Sequence, residues 1–157
     1  MITPKGLALE QLEKFQKKIL KQLLSVPPNT PDPAIYILSG ILPIEAQIHI
    51  KVLNFYNNVC NQAETSIEKQ LARRQLSIKA MDSNSWFIDV ENILYKYDLA
   101  NAYFYMEQPS KKEKWNKLIK ERISKEWIKK ITLTIPLYHG LRYLNFRTFG
   151  QGKSTLY

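Results

Sequence analysis

The stretch SKKEKWNKLIKERISKEWIKKI, Ser110–Ile131, decides how this chain folds. Trp115, Ile119, Ile123, Trp127 and Ile131 stand at uniform steps of four. Four residues slightly exceed one 3.6-residue turn, so these side chains form an apolar stripe that drifts slowly round a long, packed helix. The segment carries nine Lys/Arg against three Glu, which is six of the nine net positive charges in the chain. Lys114, Lys117, Lys125 and Lys129 fall on the face opposite the stripe, with Glu121 among them. Glu121 precedes Lys125 by four residues, the favourable order for a helical ion pair. Ser110 and Glu113 have the spacing of a capping box. The regular spacing assigns both tryptophans to the core, where they are not free to stack on a ligand.

Outward from this helix the pattern stays helical. Leu9, Leu12, Phe15, Ile19 and Leu23 predict a buried face for a first helix over 7–25, with Lys14, Lys17, Lys18 and Lys21 on its other side. Four prolines within VPPNTPDP, Val26–Pro33, stop it and make a stiff connection. A short helix is expected from Ala34 to Gly40, entered through Pro33. A longer one runs from Pro43 to about Asn61, with Ile44, Ile48, Val52, Phe55 and Val59 as its stripe. Thr65 and Glu68 suggest a capping box for a helix that buries Ile67 and Leu71 and carries Arg73 and Arg74 near its C-terminal end. Ser83 or Ser85 caps a helix from Trp86 to about Tyr97, with Trp86, Val90, Ile93, Leu94 and Tyr97 inward. Tyr103–Tyr105 belong to a short helix ending before Pro109, and Pro136 ends or kinks the long basic helix. From Asn145 no packing stripe is evident. The expectation is one all-α domain of six or seven helices over 1–144, with a frayed, flexible tail over 145–157.

Composition narrows the chemistry. The chain has 157 residues, 45% of them apolar, enough for one core. Its formal charge of +9 fits a polyanionic partner. A single cysteine, Cys60, excludes an internal disulfide and a cysteine-based zinc cluster, and reads as a core residue. No apolar run approaches the length of a membrane span, so no membrane partner is expected. Intracellular residence is the default, with nucleus and cytoplasm left open.

Motifs that suggest catalysis fail on context. Gly150-Gln-Gly-Lys-Ser154 resembles a phosphate loop, but Arg147 stands where the motif needs glycine, and too little chain follows to form its helix. His49 sits one residue from the Ile48 stripe and is expected to point partly outward or to make a local hydrogen bond. His139, before Gly140, reads as a helix end. Neither has a ligand or nucleophile at suitable spacing. The four aspartates are scattered, and Asp89 and Glu91 face apart on one helix, unlike the clustered carboxylates of a two-metal site. No catalytic residue, metal or other cofactor is expected.

Five strings carry a family resemblance: LEKFQKKILKQL (Leu12–Leu23), DPAIYILSG (Asp32–Gly40), LPIEAQIHI (Leu42–Ile50), LARRQL (Leu71–Leu76) and SNSWFIDV (Ser83–Val90). Their order over Leu12–Tyr143 resembles the region that follows the reverse-transcriptase domain in non-LTR retrotransposon polyproteins of invertebrates. The resemblance implies a helical module beside a polymerase whose catalytic palm this chain lacks. It transfers no catalytic residue, and implies a piece that helps hold template RNA or target DNA.

The expected function is therefore a non-catalytic, sequence-tolerant RNA- or DNA-binding module. Lys114, Lys117, Lys125 and Lys129 form one phosphate-contacting stripe, Lys14, Lys17, Lys18 and Lys21 a second, and Arg73 and Arg74 a bridge between them. The alternatives are a helical scaffold that binds a protein or self-associates, and a retrotransposon relic without selected function.

Overall fold

The computed structural model describes residues 3–138. Among them are seven α-helices and no strand: α1 (Gly6–Leu23), α2 (Asp32–Ser39), α3 (Ile44–Cys60), α4 (Ile67–Ile78), α5 (Trp86–Lys96), α6 (Ala102–Glu107) and α7 (Lys112–Thr134). A 3₁₀ turn, Ile135–Leu137, follows α7 where Pro136 removes a backbone donor. The all-α reading holds. The expected tail, the Gly150–Ser154 motif and His139 lie outside the described residues.

The long basic helix buries the stripe that its spacing requires: Trp115, Ile119, Ile123, Trp127 and Ile131. It lies antiparallel to α3, which packs against α1, α4, α5 and α6 as well and is the central helix. Asn61, at the end of α3, donates to the Ser110 carbonyl at the start of α7 (3.1 Å). Half-way along, the buried Trp115 indole donates to Leu53 O (3.0 Å). The expected Ser110–Glu113 box does not form: Lys111 is the N-cap residue, without a side-chain cap bond. The Ser110 carbonyl is held by Asn61, so the chain turns into the helix one residue later.

Because α3 has neighbours on several sides, its buried set exceeds one stripe. Ala46, His49, Leu53, Tyr56, Asn57 and Cys60 join Val52 and Val59 in the interior, whereas Ile44 and Ile48 are only partly covered. Phe55 remains half exposed against Trp86, with ring centroids 5.3 Å apart. Trp86 itself is only partly buried, and Ile88 takes the interior position at the start of α5. The Cys60 thiol is pushed up to about 11 by burial, which makes it a packing residue and a poor nucleophile.

Two apolar faces expected inside are largely outside. On α1 the buried residue is Leu20, while Phe15 (63% exposed), Leu23 (74%), Leu12 and Ile19 face outward. The rotation is set by Gln16, whose amide donates to Leu42 O (2.9 Å) and accepts from Ile44 N–H (2.7 Å). Those backbone groups flank the start of α3, where helices leave donors without internal partners. On α4, Ile67 and Leu71 are exposed, and Ala72 and Lys69 are inside. Alanine permits close approach there, and Lys69 Nζ reaches Glu64 (2.5 Å). Ser66, not Thr65, caps this helix by accepting from Lys69 N–H (3.3 Å).

His49, expected to point partly outward or to make a local hydrogen bond, is instead buried and bonded to Tyr97, 48 residues along the chain. Trp127 Nε1–H donates to the Tyr97 hydroxyl oxygen (2.9 Å), which leaves the Tyr97 proton to donate to His49 Nδ1 (2.6 Å). The bonding order fixes His49 as the Nε2–H tautomer, aimed toward Glu45 at 3.8 Å. Burial holds the Tyr97 hydroxyl well above its ordinary value, so it remains a donor. Burial, with the Lys96 ammonium second, lowers His49 to about 4; Glu45 opposes them more weakly.

The folded value lies below the ordinary 6.5, so this group's contribution to stability is full above about pH 6.5 and fades as pH falls through about 4. Urea midpoints between those pH values are expected to fall by the equivalent of about 2 kcal/mol more in the native chain than in a His49→Phe variant. Parallel curves for the two proteins would refute this role.

Candidate nucleic-acid interface

The four α1 lysines come together on one groove. Five residues after Leu20 anchors the helix, the chain passes through Ser25 in a left-handed conformation (φ 53°) and folds back along α1. Pro27 and Pro28 stiffen the return, and Thr30 Oγ1–H donates to Pro27 O (2.7 Å). Between helix and loop lies a cavity of about 560 Å³ lined by Lys14, Lys17, Lys18 and Lys21 on one side and by Ser25, Pro28 and Asp32 on the other. Lys21 Nζ donates to Pro28 O (2.6 Å), and Lys17 pairs with Asp32 at 2.8 Å. Lys14 and Lys18 are exposed and have no ion-pair partner among the described residues. Two of the four lysines therefore shape the groove, and two remain available to a ligand.

On α7, Lys114, Lys117, Lys125 and Lys129 are all exposed, as expected. They are spread along the helix. Lys117 and Lys125 are eight residues apart, about 12 Å along the axis. Lys125 and Lys129 line a hollow of about 260 Å³ with Lys96, Arg122, Asp98 and Glu126, where Arg122 stands 3.7 Å from Asp98. The expected ion pair between Glu121 and Lys125 is not formed among the described residues.

A third hollow, of about 230 Å³, adjoins the α1 groove. Asp32 lines it as well as the α1 groove, and Trp127, Lys130 and Tyr138 lie on its other side. Lys130 Nζ sits 4.4 Å from the Trp127 ring centroid and Lys96 Nζ 5.5 Å from it. Both cations are thus attracted to the electron-rich face of the same buried indole. The exposed Lys14 and Lys18 on α1 and Lys125, Lys129 and Lys130 on α7 belong to helices that α2 joins by packing against both. Leu20, Ile35, Tyr36 and Ile131 form the small core between these helices.

Arg73, expected with Arg74 to bridge the lysine stripes, is held by carboxylates. Arg73 binds Glu64 (2.6 Å) and Glu107 (3.1 Å), tying α4 to α6 toward the opposite end of α7. Its hydrogen bond to Glu64, more than any other contact, raises its affinity for its proton, and Glu64 is held below the usual carboxylate range by Lys69 and Arg73. Arg74 is exposed on the same helix. The members of the basic band that sequence reasoning missed are Lys96, Arg122 and Lys130. Arg122 and Lys130 lie in the quoted stretch, but linear order does not bring Lys96 of α5 beside α7.

A hollow of about 350 Å³ between the N-terminal segment, α3 and α5 is lined by Lys5, Glu45, His49, Asp89 and Lys96. Its charges satisfy one another: Lys5 pairs with Asp89, and Lys96 with Glu45 at 2.5 Å. Among the described residues no group of three or more His, Cys, Asp or Glu side chains is placed to hold a metal. No single described helix is long and apolar enough to cross a membrane. No family model, curated protein or solved structure matches the chain.

Lysine footprinting with an amine-reactive reagent tests this surface. Lys14, Lys18, Lys125 and Lys129 are expected to react in the native protein, and Lys69, 3% exposed, only after unfolding. Early labelling of Lys69 on peptide mapping would contradict the arrangement of α4.

Proposed function

We propose that this chain is a non-catalytic, sequence-tolerant nucleic-acid-binding module related to the region beside a retrotransposon polymerase. The observation that carries the proposal is the set of exposed lysines on the α1 groove and on the C-terminal half of α7, two helices that α2 joins. Lysine ammonium groups spaced along a surface meet successive phosphates and release condensed counterions, which yields affinity without base selection. The resemblance to the post-reverse-transcriptase region supports the same reading, because a module in that position beside a polymerase is expected to help hold template RNA or target DNA. The band uses Lys14, Lys18, Arg122, Lys125, Lys129 and Lys130, with Lys96 beside them held by Glu45, and the reading assigns Arg73 a structural role.

Fluorescence anisotropy with single-stranded RNA and duplex DNA is the test. With about five phosphates engaged, affinity for duplex is expected to fall about 10²- to 10³-fold between about 50 mM and about 200 mM salt. Lys18→Glu combined with Lys129→Glu weakens binding to both polymers about tenfold or more. Lys114→Glu combined with Lys117→Glu makes the same change in net charge outside the band and weakens it less. Absence of binding to either polymer at low salt would sink the proposal.

A second reading draws on the uncovered face of α1. Phe15, Leu23, Leu12 and Ile19 form an exposed apolar strip of the kind that marks a protein contact. A scaffold or self-associating role predicts concentration-dependent sedimentation that Phe15→Glu abolishes.

A further inference from the structure

The hollow between α2 and the end of α7 has features that phosphate contact alone does not use. It holds about 230 Å³ and shares the Asp32 wall with the lysine groove. At about 30 Å³ per water that is room for roughly eight waters, the scale of one planar ring system. Drug-sized ligands need roughly 300 Å³ or more.

Its walls combine aromatic and polar groups. Tyr138, 40% exposed, offers an open aromatic ring, whereas Trp127 is 6% exposed and lies beneath Lys130. Asp32 accepts from Lys17 through Oδ2, and its Oδ1 has no hydrogen-bond partner among the described residues. The Tyr36 hydroxyl also lacks a hydrogen-bond partner there. Burial, then the Asp32 and Glu13 carboxylates, hold it above its ordinary value, so it stays a neutral donor. Thr134 donates its hydroxyl proton to Ile131 O (2.7 Å), leaving the oxygen as an acceptor.

The geometry points to a nucleobase subsite: one unpaired base of a single-stranded nucleic acid enters this hollow against Tyr138 while its flanking phosphates follow the lysine groove. This inference rests on the nucleic-acid reading and narrows it to single strands. Guanine matches the polar groups best. Its adjacent imino and amino N–H groups suit the Asp32 carboxylate, and its carbonyl oxygen suits the Tyr36 hydroxyl or Lys130. Cytosine, adenine and uracil each present fewer donors to a carboxylate on that edge. A duplex hides the edge altogether, so it binds the band and leaves the hollow unused.

Anisotropy with the full chain and single-stranded oligouridylates bearing one central guanosine, inosine or abasic site tests the subsite. Guanosine is expected to bind about 5- to 100-fold tighter than the abasic strand, the range for stacking one base on an aromatic side chain. Inosine lacks the amino group and loses about fivefold or more of that advantage. Tyr138→Ala removes the base-dependent factor with the salt slope unchanged, and Tyr138→Phe retains it. Asp32→Asn collapses the guanosine-to-inosine ratio, a readout insensitive to the added positive charge. Equal affinity for all three strands, with steep salt dependence intact, overturns the subsite and leaves the phosphate band standing. No binding of any strand at low salt overturns both.

Discussion

The antiparallel pairing of α3 with α7 is the constraint on which the remaining structure depends. Its dry interior is built from Trp115, Ile119, Ile123 and Trp127 against Val52, Leu53, Tyr56 and Cys60. Large aromatic side chains supply much of the buried area in such a core, but their polar atoms must find partners. Trp115 finds one in the Leu53 carbonyl, and Trp127 in Tyr97, which in turn serves His49. These bonds set the register of α7 on α3 and bring α5 into the same network. Breaking one leaves a buried donor or acceptor unpaired, a cost of about 1–3 kcal/mol.

Polar satisfaction also explains where the outer helices point. Gln16 fixes the rotation of α1 by serving the backbone on both sides of Pro43, although this turns Phe15 and Leu23 into solvent. Glu91 performs a comparable task for α6: its carboxylate accepts from Ala102 N–H at 2.6 Å, beside the Asn101 cap bond to Phe104 N–H. Tyr56 closes the same corner by donating to Ala102 O (2.8 Å). In each case one well-placed polar side chain outweighs the local apolar pattern, because unpaired backbone groups cost more inside a protein than an exposed leucine costs outside.

The electrostatic character of the surface follows from this frame. Carboxylates are concentrated in pairs that hold elements together: Asp89 with Lys5, Glu45 with Lys96, and Glu64 and Glu107 with Arg73. Lysines along α1 and α7 exceed the carboxylates paired with them, so excess positive charge lies on the two helices between which α2 packs. Lys96 has a double role, since its ion pair with Glu45 and its approach to Trp127 fix it at the junction of the core and the band.

The sequence by itself determined the helical class, the main breaks at the prolines and Gly40, the identity of α7 and its five buried positions, and the core position of Cys60. Those features rest on local periodicity and turn chemistry, which act over a few residues. It also identified the lysines of both stripes, because their exposure follows from the same periodicity. Only tertiary structure decided which α1 face was covered, why Ile67 and Leu71 remained outside, and how His49 came to be buried. The same holds for the site: Arg73 was drawn away by glutamates of other segments, while Lys96 and Lys130 were gathered around one indole. These outcomes depend on contacts between residues tens of positions apart, where the need to pair a buried polar group overrides the pattern of any single helix.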